Sequence, residues 1–378
     1  MRKGDQPSHV TSPAENPFTP TFGQVPLFMA GRNDLLSRMG RAFDQRGRAI
    51  ELTTLISGAR GTGKTSLLGY VAEMAERHGW VSVSVAALPG LLDEVYAIAC
   101  RKIRKTLGTS DGVRLAGVGV GGMRTVEGEL PPQGASAWRT EMEDILDLIE
   151  DKNLGLLITV DEVRPDVDEV ITLAATYQQF VCGHRRVALI MAGLAYNVEG
   201  LASHASVSFL RWARREWLGR IERLEIEDAW QRTVAASGRK VSGDATDLAV
   251  AAIDGSPLML QLVGYRAWDR HVDNPEISYG DVAEGVELAR RELASSMFEL
   301  TYRELSDKDL AFLRAMLPDR GESSIADIAA RMGKTRGYVS TYRKRMLQAG
   351  IIGVRRRGYV GFDLPSFREF LEERETMT

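Results

Sequence analysis

Eight residues, Gly58-Ala59-Arg60-Gly61-Thr62-Gly63-Lys64-Thr65, constrain this chain more than any other stretch. They follow an apolar, β-rich run from Leu52 to Ser57 and open a segment of helical period from Ser66 to Arg77. Strand, glycine-rich loop and helix in that order form the phosphate-binding pattern G-x-x-x-x-G-K-[ST]. Glycines let the backbone curl until successive N–H groups point at one anion. The helix that follows adds its own unpaired N–H groups and the positive end of its dipole. The expected nucleotide-binding set is therefore Gly58, Ala59, Arg60, Gly61, Thr62, Gly63, Lys64, Thr65 and Ser66. Lys64 reaches the β- and γ-phosphates and counts as catalytic, and the Thr65 hydroxyl is a Mg²⁺ ligand. ATP and Mg²⁺ are the cofactors this predicts.

A chain of 378 residues exceeds one ordinary core and predicts two or three domains. Its net charge of −3 gives no global attraction to nucleic acid or to an anionic membrane. Cys100 and Cys182 stand in no metal-ligand spacing and inside apolar helical patterns, so they read as buried thiols of a reducing compartment. The first twenty residues contain no apolar core of a secretory signal, and no apolar run is long enough to span a bilayer. A cytoplasmic protein without a membrane partner is expected.

A second signal, this one acidic, comes about a hundred residues after the loop. Leu154 to Val160 reads LGLLITV, a run of buried-strand type, and ends in Asp161-Glu162. Ligands of parallel α/β sheets sit at the carboxyl ends of the strands, so both acids should face the phosphates. Asp161 then holds Mg²⁺ and Glu162 polarises the attacking water. Further strands are expected at Trp80–Ala87, Arg186–Ala192 and Ile221–Ile226, the last from the alternation of IERLEI. Helices are expected over Leu91–Leu107, Ala137–Glu150 and Val167–Cys182. Gly108 to Gly134 is glycine-dense and reads as a flexible insertion or irregular hairpin.

Residues 1–21 are polar and proline-rich and are expected to form a disordered tail. The core then runs over 22–226, followed by a helical region at 227–300 with a Gly255-Ser256-Pro257 break. From 301 to 378 the pattern is helix, turn, helix and glycine-punctuated hairpin: a winged helix-turn-helix. Between Arg331 and Phe362 there are nine basic residues and no acid. On the helix from Arg336, the residues Val339, Tyr342 and Met346 share an inward face, and Ser340, Thr341 and Lys344 lie opposite with Arg345 flanking. Arg336, Ser340, Thr341, Lys344, Arg345 and the wing residues Arg355, Arg356 and Arg357 are the expected DNA contacts. Such modules also dock proteins, so a protein partner stays open.

Phosphate loop, Asp161-Glu162, helical lid and winged helix in this order resemble the AAA+ and STAND P-loop ATPases, and among them the origin-recognition-type and archaeal-type ATPases. The resemblance covers residues from about 25 to 365 and implies an α/β core with a five-stranded parallel sheet, the phosphate-loop strand central and nucleotide held between core and lid. It implies an adenine-side role for Gly31-Arg32, which precede a helix ahead of the loop. It offers Asn197 as a γ-phosphate sensor, unless that residue is only a loop asparagine. It offers Arg211, Arg214 and Arg215 as candidates for an arginine that touches nucleotide, often a neighbour's in a homo-oligomer. No arginine follows Pro257, where such lids carry one, which leans toward STAND-like switches. The function expected is an ATPase whose nucleotide state controls a DNA-binding winged helix. The alternative is a slow-hydrolysing, nucleotide-gated regulator whose winged helix serves transcription or protein docking.

Overall fold

Two strands of unbroken apolar sequence set the sheet. Gly155–Asp161 and Val187–Gly193 are buried along nearly their whole length, as strands covered on both faces must be. The computed structural model describes residues 15–21, 23–45, 49–107, 135–364 and 366–376, which fall into two units: 1–31 with 220–302, and 32–219 with 303–378. The glycine-dense stretch 108–134 and residues 1–14 lie outside the described residues.

The larger unit opens with α1 (Asn33–Asp44), then β1 (Thr53–Gly58), α2 (Lys64–Arg77), β2 (Trp80–Ala86) and α3 (Leu91–Leu107). It continues through α4 (Ala135–Glu150), β3 (Gly155–Asp161), α5 (Asp168–Cys182), β4 (Val187–Gly193), α6 (Ala195–Ala202) and β5 (Arg214–Leu218). The sheet is five-stranded and parallel throughout, in the order β2-β3-β4-β1-β5. β4 is the middle strand, and β1 lies between β4 and β5, one place from the edge rather than central. One core cluster runs from α3 and α4 through the sheet to α5, with Trp138, Leu146, Ile158, Leu173 and Leu189 fully enclosed.

Two sequence expectations need correction here. The fifth strand is Arg214–Leu218, not 221–226. Ile221 precedes a helix, and the burial of Ile226, Ala229, Trp230, Thr233 and Val234 follows helical spacing while Leu224 is exposed. Ile221, Leu224 and Ile226 stand three and two residues apart, too few and too uneven to separate a period of 2 from one of 3.6. Of the cysteines, Cys100 is buried but Cys182, the last residue of α5, is exposed.

The smaller unit contains α7 (Arg223–Ala236), β6 (Lys240–Val241), α8 (Gly243–Ile253), α9 (Pro257–Trp268), β7 (Glu276–Ile277) and α10 (Tyr279–Leu293). It is helical apart from the two-residue parallel pair β6–β7. Asp254 and Gly255 end α8 in left-handed backbone, and Ser256 caps α9 on the Met259 amide with Pro257 in the first turn. Arg239 is buried and donates to the carbonyls of Trp268, His271 and Glu276, tying the β6–β7 corner to the end of α9. The last part of the expected loose tail packs here: Phe18 is 1% exposed and lies 5.4 Å from the Trp230 ring. A Cβ on Gly264 would fall 2.2 Å from that Phe18 ring, so only glycine admits it. The Thr19 amide donates to Gln261 and the Asn16 amide to the Tyr265 carbonyl.

After α11 (Glu299–Glu304), the chain rejoins the larger unit as α12 (Asp307–Arg314), β8 (Ser323–Ser324), α13 (Ile325–Met332), α14 (Arg336–Gln348), β9 (Ile352–Arg356), β10 (Tyr359–Phe362) and α15 (Phe367–Thr376). Gly333 ends α13 in left-handed backbone and the Thr335 hydroxyl caps α14, which fixes the turn between the two helices. β8, β10 and β9 form an antiparallel sheet beside them. Val339, Tyr342 and Met346 are buried, as their spacing predicts.

Candidate nucleotide site

The loop between β1 and α2 is shaped by backbone that only glycine adopts freely. Gly61 and Gly63 have φ of 76° and 83°, and Gly63 occupies the N-cap position of α2. A Cβ on Gly58 would fall 2.8 Å from the Leu218 carbonyl of β5, so the first glycine allows two strands to close above the loop. The Thr62 hydroxyl donates to the Ala59 carbonyl at 2.9 Å and holds the curl. Lys64 is buried, and its ammonium donates to the carbonyls of Ala59 at 2.8 Å and Gly58 at 3.2 Å. Burial lowers its pKa below 10.5, with the facing carboxylates of Glu162 and Asp161 opposing that shift.

The acid pair meets this loop as expected. The Thr65 hydroxyl donates to Asp161 Oδ2 at 2.5 Å, joining residues 96 apart in sequence. The other carboxylate oxygen of Asp161 accepts from the Glu162 amide at 2.8 Å. Glu162 itself is exposed and has a φ of 53°, a left-handed backbone that costs a side-chain-bearing residue of order 1–3 kcal/mol. The turn is held from behind: the Val163 amide donates to Ala192 of β4 at 2.9 Å, and Val163 is fully buried. A Cβ on Gly193 would fall 2.9 Å from Val163 Cγ2 and one on Gly200 would fall 3.1 Å from Pro165 Cγ, so β4 and α6 fit closely around this turn.

A hard divalent cation suits these donors. A hydroxyl and a carboxylate oxygen in contact, beside a cradle for phosphate, supply the part of a Mg²⁺ shell that proteins provide, leaving the rest to phosphate and water. Among the described residues, no three His, Cys, Asp or Glu side chains cluster as an all-protein metal cage. No helix among them is long and apolar enough to cross a membrane.

The remaining candidates take the following places. Gly31 belongs to the smaller unit, where a Cβ on it would fall 2.7 Å from Ile221; Arg32 belongs to the larger, where its guanidinium donates to the Gly219 carbonyl at 3.2 Å. β4 ends in Gly193, and Asn197 sits in the first turn of α6. Arg214 pairs in register with Thr54, four residues before Gly58, or about 13 Å along the strand from the phosphate loop. Its guanidinium is engaged by Glu216 at 2.7 Å, which also accepts from Arg38 at 2.7 Å. Arg215 approaches Glu199 at 3.9 Å. Arg211 ends the 3₁₀ turn ahead of β5 and is exposed. Arg214 thus stands at the end of β5 away from its own loop, and Arg215 one residue further along.

The C-terminal basic stretch is less positive in space than in sequence. Arg345 reaches the buried Asp309 at 2.7 Å, Arg355 reaches Asp363 at 2.6 Å, and Arg356 reaches Glu322 at 2.6 Å. Arg331 is held by Asp319 at 2.6 Å. All four acids lie outside the stretch from Arg331 to Phe362, so its sequence gives no sign of them. Arg336, Ser340, Thr341, Lys344 and Arg357 are exposed.

Comparison with known proteins agrees with the loop and the sheet. Residues 29–190 match the AAA ATPase domain family, and residues 295–371 match a family described as a domain of unknown function, DUF8462. No curated protein matches the chain. Among solved structures it is similar to the Walker-type ATPase of Pyrococcus abyssi, at 15% identity over 91% of this chain and 96% of that one, with a TM-score of 0.64. It is similar also to the Aeropyrum pernix ORC2 protein in ADPNP and ADP complexes, at 13% identity over 94% and 98%, with a TM-score of 0.52. The chain thus carries a P-loop ATPase core of the AAA type over residues 29–190, in a fold shared with solved ATPases along about nine-tenths of its length.

Proposed function

We propose that this ATPase hydrolyses ATP with Mg²⁺ at the loop of residues 58–66, and that its nucleotide state sets the DNA affinity of a C-terminal winged helix. The observation that carries the first half is the Thr65–Asp161 hydrogen bond, which brings the start of α2 and the end of β3 to one point. Backbone N–H groups of Gly61 to Ser66 bind the phosphates, and the Lys64 ammonium neutralises charge on the β- and γ-oxygens. Thr65 and Asp161 would hold Mg²⁺, which would supply charge neutralisation for the phosphates when bound. Glu162, exposed and next to the metal-holding acid, orients the attacking water and takes its proton as ADP departs. Glu162→Gln keeps the shape and the hydrogen bonding but removes the base. It should cut turnover about 100-fold or more while nucleotide still binds; unchanged turnover contradicts the assignment.

The second half rests on the seat of α14 and β9. The turn between them, at Gly350, has a φ of 69°, and a Cβ there would fall 2.8 Å from Leu194 Cδ2. Leu194 is buried and stands between Gly193 of β4 and the start of α6, directly after the strand that braces the Glu162 turn. A change at Glu162 thus has a packed route to the helix whose outer face carries Arg336, Ser340, Thr341 and Lys344. Those residues suit DNA phosphates and bases, and Arg357 suits the backbone beside the wing. Arg345, Arg355 and Arg356, engaged by acids, serve the module's own shape first.

One observation favours the slower, regulator-like reading: α9 begins Pro257-Leu258-Met259 under a serine cap, with no arginine at that end. A regulator of that kind should retain nucleotide through purification and turn it over slowly without a partner. Rapid basal turnover contradicts that second reading and leaves the first intact.

A further inference from the structure

β5 is an edge strand, paired among the described residues with β1 alone. Natural edges are usually short or charged so that they do not recruit another strand. This one is charged, yet it also presents large apolar surface: Trp217 is 54% exposed on the strand and Trp212 is 84% exposed just before it. Side chains alternate along the strand. Arg215 and Trp217 share the exposed face, whereas Glu216 turns to the other face and is neutralised by Arg38 and Arg214. Tryptophan and arginine are the residues that most often carry binding energy in interfaces.

The sequence Arg214-Arg215-Glu216-Trp217-Leu218 is complementary to itself when reversed. In an antiparallel pair of two β5 strands centred on Glu216, Arg215 of each copy lies opposite Trp217 of the other. Two cation–π contacts then form on the exposed face. Arg214 lies opposite Leu218, and the two central Glu216 carboxylates each arrive already paired with arginine. We infer that this edge is a two-fold interface between copies of the chain, joining two five-stranded sheets into one. The charges that would repel other strands select this register. A second consequence concerns the arginines. Leu218 is the register partner of Gly58, so strand reversal places the Arg211–Arg214 end of each copy beside the phosphate-loop end of the other. That second consequence rests on the nucleotide site proposed above; the dimer itself does not.

Sedimentation velocity of the full chain, without nucleotide, tests it. The expected species has twice the 41.7 kDa mass of one chain, and both Trp217→Glu and Arg215→Glu shift it to the single-chain mass. Register is tested by disulfide trapping in a Cys182→Ser background. Arg215→Cys mixed with Trp217→Cys should give a cross-linked dimer under mild oxidation, because opposite residues lie about 4.5–5.5 Å apart at Cα. Neither variant alone should cross-link. A wild type that stays monomeric at every concentration overturns the proposal. So does a dimer that both charge variants leave unchanged, or one in which each cysteine variant cross-links by itself.

Discussion

Lys64 joins burial, charge and ligand in one side chain. Its pKa lies below 10.5 because burial disfavours the ammonium, although Glu162 and Asp161 favour it. The folded site therefore binds fewer protons than the unfolded chain between the two pKa values. The penalty of a buried ammonium is present below the folded value and is relieved as pH rises through it. Phosphate favours the protonated form, so nucleotide binding takes up a proton in alkaline solution. Titration of ATP against pH should show affinity falling about tenfold per pH unit once the free-site Lys64 begins to deprotonate. Lys64→Ala should bind more weakly and lose that dependence; the same slope in the variant assigns the proton elsewhere. That Lys64 and Thr65 would meet Asp161 and Glu162 was legible in the sequence, because both short patterns end at the same side of a parallel sheet. The positive φ of Glu162 and the Val163 brace were not, since they are imposed by β4 from outside the motif.

At the scale of elements, the buried strands β1, β3 and β4 and the long helices were legible from apolar runs and helical spacing. β5 was not. An edge strand has one paired side and one open side, and RREWL shows its charges rather than a core pattern. Residues 221–226 offer three apolar side chains close together, but that stretch leads into α7. Phe18 was also hidden, as a lone aromatic in a proline-rich tail carries no periodicity. Its enclosure against Trp230 and Gly264 makes it part of the smaller unit's core. Phe18→Ala should destabilise that unit by about 3–5 kcal/mol, read as an earlier thermal unfolding transition. An unchanged transition contradicts the packing role. At the seat of α14, Leu194→Ala removes the side chain that meets Gly350. It should leave ATP affinity within about twofold, a small energy on this scale, while uncoupling DNA affinity from nucleotide.

For the whole molecule, charge is the property that sequence and structure describe differently. The chain has a net charge of −3, and its basic C-terminal stretch contains no acid, yet Asp309, Asp319, Glu322 and Asp363 fold back onto four of its nine cations. Contacts between residues distant in sequence decide this, so composition alone overstates the positive surface. The proposed DNA-facing set reduces to the exposed face of α14 and Arg357. Arg336→Ala and Lys344→Ala should each lower the slope of log affinity against log salt by about 1. Arg356→Ala, which removes a partner of Glu322 and of the Tyr359 ring, should change the slope less. Equal slopes for all three variants contradict this division. The most direct measurement of the central claim is the affinity of the full chain for duplex DNA, by fluorescence anisotropy, with ADP and with ATP–Mg²⁺. Glu162→Gln serves to hold the triphosphate. The expected Kd differs severalfold between the two nucleotides, equivalent to about 1 kcal/mol or more of coupling, and the difference vanishes in Leu194→Ala. Equal affinity with both nucleotides, or no DNA binding with either, contradicts it.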